Sequence, residues 1–203
     1  MIALTALFAS LIVSAGVNAQ AAAGATAAPA SGGSKSPVVA ILQPDAAQVS
    51  GTIYFFQPDP NGPVTVTGQL SGLDPNAERG IHIHQFGDLT NNCTSTGEHW
   101  NPTNTTHGSI TNPLTTRHRG DLGNFLTDAN GDATLNITDV VGGLSLYGED
   151  NIVGRAIVVH TGTDDLGLGG NEGSLKNGNS GGRAGCGVIG FSNLTTFGVV
   201  PAA

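Results

Sequence analysis

Histidine is concentrated in one part of this chain of 203 residues. Five of its six histidines fall between residues 80 and 124, and the sixth, His160, ends the apolar run 157–159. The five are His82, His84, His99, His107 and His118. Neutral imidazole offers a lone pair near physiological pH, which makes histidine the commonest metal ligand. The pattern therefore predicts a fold that gathers one long segment and one strand end around metal.

The composition limits the class of protein further. The chain has 31 glycines, 10 prolines and no long amphipathic helical pattern, which favours short strands joined by irregular loops. Its formal net charge of -8 argues against nucleic acid or an anionic membrane surface as a partner. An anionic substrate would need local positive charge to attract it.

Residues 1–19 have the character of a signal peptide. An apolar run from residue 2 to residue 13 is followed by small residues, and Val17-Asn18-Ala19 resembles a cleavage site. The alternative is an uncleaved anchor, but a membrane span needs about 20 apolar residues, and polar residues interrupt this run. Residues 20–36, rich in Ala, Gly and Ser, are expected to form a flexible leader. We therefore expect a secreted, extracellular protein that is free of the membrane after cleavage.

The two cysteines, Cys93 and Cys186, are expected to form a disulfide in an oxidising compartment. The alternative is two unpaired buried thiols. Glycosylation sequons begin at four asparagines, and we expect a glycan at one or two of them. The four are Asn92, Asn104, Asn136 and Asn193.

Eight short apolar or alternating segments, separated by turn residues, predict an all-β fold. They span residues 38–42, 49–57, 64–70, 80–86, 124–127, 133–140, 151–160 and 186–191. This number and spacing favour an eight-stranded antiparallel β-barrel or sandwich. Two long loops need a functional reason. One is the histidine-rich loop between the predicted strands 80–86 and 124–127, and the other spans residues 164–182. They hold histidines, an aspartate pair and an arginine.

His82 and His84 lie two residues apart on a predicted strand, so their imidazoles point to one face. Alone, such a pair is more often solvent-facing, and His160 alone would be a buried, hydrogen-bonded imidazole. With His99 these residues give four nitrogen ligands and no thiolate or carboxylate. Nitrogen sets of four suit copper, because Cu(II) favours square-planar or tetragonal geometry.

A second group of candidate ligands follows in the same segment. His107, His118 and Asp121 belong to it, and only Arg119 and Gly120 separate the last two. If His99 joins them, three histidines and one carboxylate form a closed tetrahedral set. Such a set is typical of structural zinc rather than of an open catalytic site.

Five segments of the sequence resemble the copper/zinc superoxide dismutase family. They read GIHIHQFGD, EHWNP, RHRGDLGN, VVHTGTDDLGLGGNE and GNSGGRAGCGVIG. The resemblance runs from about residue 37 to residue 191 and places the domain at residues 37–196, with a tail at residues 197–203. It implies copper and zinc as cofactors and superoxide as the substrate. The family's fold is a Greek-key β-barrel, which the resemblance implies here as well. Many members are homodimers, which makes a homodimer possible, but the sequence alone does not set the oligomeric state.

Carried over by position, the resemblance implies a role for each candidate residue. It implies copper held by His82, His84, His99 and His160, and zinc held by His99, His107, His118 and Asp121. His99 would bridge the two ions. Asp164 would link His82 to His107 and fix their orientation. Arg183 would stand beside copper and attract superoxide.

The implied reaction is the dismutation of superoxide to dioxygen and hydrogen peroxide by redox cycling of copper, with a structural zinc. Arg183 and His99 are the implied catalytic residues, and His99 would take up and return a proton. Leu168 and Gly173 stand where the family often has lysine and glutamate, so weaker electrostatic steering is expected. Lys176 remains.

Two alternatives differ from this interpretation. A copper-only dismutase would be expected to lose zinc ligands, which this chain retains. A copper-binding or copper-delivery module would tolerate loss of the fourth copper ligand or of Arg183, and would usually carry a separate cysteine-rich domain.

Overall fold

The structure, a computed structural model, describes residues 38–193. The predicted signal peptide (1–19), leader (20–36) and tail (197–203) lie outside these residues, as do the outermost residues of the predicted domain. No helix within residues 38–193 is long and apolar enough to cross a membrane.

Ten strands and one short helix make up the described part of the chain. The strands are β1 (Val38–Pro44), β2 (Ser50–Phe56), β3 (Val64–Ser71), β4 (Glu78–His84), β5 (Thr90–Cys93), β6 (Asp121–Leu126), β7 (Ala133–Asp139), β8 (Ala156–His160), β9 (Arg183–Val188) and β10 (Gly190–Phe191). The helix is α1 (Glu172–Asn177), and a single 3-10 turn covers Thr94–Thr96.

Eight strands form one continuous antiparallel sheet in the order β6-β4-β8-β9-β1-β2-β3-β7. The short β10 adds to β1. The two end strands, β6 and β7, follow each other in the chain and are joined by the turn 127–132, so the sheet curls into a nearly closed barrel. The predicted eight-stranded antiparallel all-β fold is confirmed.

The core follows from the two-residue alternation of side chains along a strand. On β1, Val38, Ala40 and Leu42 are buried, while Ile41 between them is exposed. Strand β8 differs, because all five of its residues are buried. Its Val158 packs against the two cysteines on the face opposite the main core. This strand, covered on both faces, carries His160 and pairs with β4, which carries His82 and His84.

The sequence-based interpretation is wrong in several details. Strand β6 begins at Asp121 rather than at residue 124, and the strand predicted at residues 186–191 is two strands, β9 and β10. Strand β8 begins at Ala156 rather than at residue 151, because residues 151–155 form a turn in which the Arg155 N–H donates to the Ile152 carbonyl. The loop 164–182 contains helix α1, which begins where the Asn171 side chain accepts from the Ser174 N–H. It ends at Gly178, which has φ of 67°. Six residues are too few for an apolar period to be visible.

A buried ion pair fastens the histidine-rich loop to the barrel. Arg117 is fully buried and donates to Asp139 Oδ1 at 2.7 Å and to the backbone carbonyl of Asp121 at 3.2 Å. Asp139, at the end of β7, also accepts from the Leu144 N–H at 2.5 Å. Sequence reasoning missed Arg117, because nothing in the local pattern distinguishes it from an exposed loop arginine.

We expect Arg117→Met to lower the free energy of unfolding by about 3–5 kcal/mol, because it leaves Asp139 buried without its charge partner. Urea unfolding measures this. Arg119→Met is the control, since Arg119 pairs with the half-exposed Asp150 at 3.2 Å and should lose about 1 kcal/mol or less. Equal losses in the two variants would contradict the assigned role of Arg117.

Candidate metal centre

Strand β4 fixes the first two histidines. Ile81 and Ile83 are fully buried in the main core, and the alternation of the strand turns His82 and His84 to the opposite face. Both imidazoles are nonetheless buried. His160 ends the neighbouring strand β8. Because β4 and β8 pair with Ile81 opposite Val159, His160 lies next to the histidines of β4.

Backbone hydrogen bonds bring the segment of His99 against the end of β4. The Trp100 N–H donates to the Ile83 carbonyl at 2.8 Å, and the Gln85 N–H donates to the Glu98 carbonyl at 3.0 Å. Gly120 packs against the same part of β4. A Cβ added to Gly120 would lie 2.3 Å from the Ile83 carbonyl oxygen. The close approach therefore requires glycine in the His118–Asp121 segment.

Four buried histidines form the first group, His82, His84, His99 and His160, with one nitrogen from each within 4.8 Å of the others. The Nε2 atoms of His84 and His160 are 3.4 Å apart. His82 Nδ1 and His99 Nε2 are buried and find no hydrogen-bond partner in residues 38–193. Unpartnered buried nitrogens of this kind fit a bound metal ion, because each keeps a lone pair that nothing else in the described chain uses.

Three histidines and one carboxylate form the second group, His99, His107, His118 and Asp121. Asp121 Oδ1 lies 3.0 Å from Nδ1 of His99, 3.0 Å from Nδ1 of His107 and 3.1 Å from Nδ1 of His118. Asp121 Oδ2 accepts the N–H groups of Gly108 and His118. The carboxylate is therefore fixed on both oxygens, and this donor set fits a closed zinc site.

His99 belongs to both groups. Its Nδ1 faces Asp121, which leaves Nε2 as the nitrogen available to the four-histidine group. One imidazole thus presents one nitrogen to each donor set.

Asp164 contacts one histidine of each group. Its Oδ2 lies 2.8 Å from His82 Nε2, and its Oδ1 lies 2.7 Å from His107 Nε2. The Asn124 side chain holds the Asp164 backbone, donating to its carbonyl and accepting its N–H, each at 2.8 Å. A Cβ at Gly178 would lie 2.0 Å from Asp164 Oδ1, so only glycine fits there. Asn124 and Gly178 lie in segments that resemble the family, but the sequence assigned them no role, because their partner Asp164 is 40 and 14 residues away.

The protonation of the two groups differs. Burial, followed by repulsion from neighbouring histidines, lowers the pKa of His82 and His84 well below the usual value and that of His160 to about 3. At His107 burial also opposes protonation, but hydrogen bonds to Asp121 and Asp164 prevail and raise its pKa to about 9. Without metal, His82, His84 and His160 are neutral at pH 7, whereas His107 is protonated.

Cys93 and Cys186 form a disulfide across 93 residues of chain, as predicted. A bridge closing a loop of that length contributes about 4–5 kcal/mol in the chain-entropy model. It holds the 93–97 segment beside β9, where the half-buried Arg183 donates to the carbonyls of Cys93, Thr94 and Gly97. The structure therefore places the Arg183 guanidinium against the segment that leads into His99.

A family model described as copper/zinc superoxide dismutase matches residues 49–189. The chain belongs to this family. It is 54% identical over 154 residues to proteins named Superoxide dismutase [Cu-Zn] from Neurospora crassa and from Talaromyces marneffei, covering 76% of this chain and 97% of each relative. A relative of the same name from Cordyceps militaris is 53% identical over 155 residues, with the same coverage.

Membership of the family makes the chain an oxidoreductase, a superoxide dismutase that uses copper and zinc. The relatives are named as enzymes, which argues against the copper-delivery alternative. The two buried donor groups fit two ions, and the carboxylate-containing group argues against a copper-only member.

We expect zinc binding to the metal-free protein at pH 7.5 to release about one proton per ion, because a protonated His107 must become neutral to act as a ligand. Copper binding alone should release fewer protons per ion. Calorimetric titration in buffers of different ionisation enthalpy measures both. His107→Ala should abolish the zinc-linked release and lose zinc before copper during dialysis against a chelator. Equal loss of both metals in that variant would contradict the division into two sites.

Proposed function

We propose that this chain dismutates superoxide at copper held by His82, His84, His99 and His160. We propose further that a structural zinc is held by His99, His107, His118 and Asp121. The observation that supports this most strongly is the position of His99, which has one nitrogen against Asp121 and the other unpartnered within the four-histidine group. A side chain placed in this way suits a bridging ligand between two dications.

Bound copper supplies the one-electron redox couple that dismutation requires. The chain's own part is to orient the ligands and to move protons. Asp164 holds His82 by Nε2, and the Gly97 carbonyl lies 2.8 Å from His84 Nδ1, which leaves the other nitrogen of each ring free to bind metal. His99 Nε2 is the atom that would take up a proton and return it to the peroxide product.

Arg183 supplies positive charge beside the four-histidine group. Three backbone carbonyls fix its guanidinium, and its charge acts on both His84 and His160. In a protein of net charge -8, such a fixed cation would guide a small anion to the site. We assign this role to Arg183.

We also propose that the protein is secreted. The N-terminal signal pattern supports this, as does the disulfide, since such bonds persist in oxidising compartments. The sequon asparagines Asn92, Asn104, Asn136 and Asn193 are exposed. We propose that one or two of them carry glycans.

A homodimer is the assembly that we propose. Exposed apolar side chains cluster where β1, β9 and β10 meet: Ile41 is 67% exposed, Val188 39% and Phe191 75%. The register that pairs Gln43 with Cys186 brings Ile41 beside Val188, and β10 adds Phe191 along β1. An apolar patch on neighbouring strands is typical of a surface that a second copy covers.

We expect dismutation to require copper and to fall about tenfold in Arg183→Ala at low ionic strength, because the variant lacks the fixed cation. Pulse radiolysis of the metal-loaded and metal-free chain measures the rate, and metal analysis must show that copper is retained. Arg79→Gln removes the same charge at the start of β4 and is the control. A normal rate in copper-loaded Arg183→Ala would remove the steering role.

We expect Val188→Lys to convert the dimer into monomer, because two ammonium groups would be buried against an apolar surface. Light scattering coupled to size-exclusion chromatography measures the mass. Leu126→Lys, at a side chain that is 71% exposed on β6, is the matched control and should leave the dimer intact. A wild-type monomer at micromolar concentration would rule the assembly out.

A further inference from the structure

The metal centre opens to the surface beside His99 and His118. The depression there is lined by three charged side chains besides the two histidines: Glu98, Glu172 and Lys176. An anion that approaches by this side therefore passes two carboxylates and one ammonium group. The assigned mechanism uses Arg183 and leaves the two carboxylates without a role.

Glu98 and Lys176 form an ion pair across this depression. Glu98 Oε1 lies 3.7 Å from Lys176 Nζ, and the two side chains are 60% and 61% exposed. An exposed pair of this kind contributes little to stability. Its main effect is on the field outside the protein, because the carboxylate offsets the ammonium charge of Lys176.

Glu98 also acts on Arg183. Its neighbour Gly97 accepts a hydrogen bond from Arg183, and the Glu98 carbonyl accepts from the Gln85 N–H. The backbone on which Glu98 stands is thus fixed to both Arg183 and the end of β4. Burial lowers the pKa of the Arg183 guanidinium, and the negative charges of Glu98 and Asp45 oppose that lowering. Glu98 is therefore close enough to Arg183 and to Lys176 to weaken the attraction that both exert on an anion.

We propose that Glu98 limits anion capture at the metal centre by offsetting the charges of Lys176 and Arg183. The inference rests on the proposed function, in which superoxide is drawn to the site by fixed cations. Glu98 acts through the two cations rather than by contact with the substrate, so it sets the encounter rate and takes no part in the chemistry.

The test is Glu98→Gln in the copper- and zinc-loaded chain, with kcat/KM for superoxide measured by pulse radiolysis across ionic strength. We expect a rise of about two- to fivefold at low ionic strength that disappears above about 0.15 M, where the Debye length is about 8 Å. Lys176→Gln should lower the rate, and Glu98→Gln combined with Lys176→Gln should return it towards the wild-type value. A purely structural role would not produce a change that salt removes.

Asp132→Asn is the charge-matched control, since Asp132 is exposed in the turn 127–132 and lines a different depression. An equal gain in Asp132→Asn would show that net charge alone matters and would overturn the local role of Glu98. An unchanged or lower rate in fully metal-loaded Glu98→Gln would overturn it as well.

Azide binding separates this inference from the proposed function. Azide is a small monovalent anion, and its dissociation constant for the copper-loaded protein can be followed by visible absorption without turnover. We expect Glu98→Gln to tighten azide binding at low ionic strength by a factor similar to the rate gain. If the wild type shows no copper-dependent dismutation, the proposed function fails, and azide still tests the field of Glu98. If the wild type is active and azide binding is unchanged in Glu98→Gln, this inference alone fails.

Discussion

The metal centre depends on one buried carboxylate, that of Asp121. Its Oδ1 lies within 3.1 Å of imidazole nitrogens from His99, His107 and His118, and its Oδ2 accepts two backbone N–H groups. Burial works against its ionisation, but the hydrogen bonds from the three histidines hold the pKa of Asp121 well below its usual value. A full negative charge is therefore kept in the interior, and the irregular loop 107–121 is drawn in around it.

The barrel strands position some of the candidate ligands, and the loops position the others. Strands β4 and β8 place His82, His84 and His160 with the precision of a hydrogen-bonded sheet. The loops supply His99, His107 and His118, and they are fixed by contacts outside the donor groups. Those contacts are the Arg117–Asp139 ion pair, the disulfide and the Asp164 link. Since Asp164 contacts a member of each group, a shift of either loop would disturb both donor sets.

The same arrangement couples the site to the surface field. The Cys93–Cys186 bridge holds the 93–97 segment, that segment holds Arg183, and the next residues are Glu98 and His99. Residues 93–99 thus carry a carboxylate and a metal-binding imidazole, and their carbonyls hold the guanidinium of Arg183 from β9. In an acidic protein, the balance of charge on that segment decides how strongly an anion is attracted.

The sequence by itself determined the fold class, the eight strands of the barrel, the cysteine pair and the identity of every candidate ligand. The strands follow from period-two alternation and turn residues, and the cysteine pair from the presence of only two cysteines in a chain expected to be secreted. The candidate ligands follow from the concentration of histidine in one segment and from the family resemblance. It set the start of β8 too early, at residue 151, and it gave no sign of α1, of Asn124 or of the Arg117–Asp139 pair. The Asn124 contacts and the Arg117–Asp139 pair join residues 40 and 22 positions apart, so local pattern carries no information about them. Helix α1 is too short to show an apolar period, and the turn before β8 breaks no apolar pattern. Only the tertiary structure decided which nitrogen of each imidazole faces its donor group, and that Glu98 pairs with Lys176 next to the carbonyl that holds Arg183. Those are properties of distance and not of order along the chain.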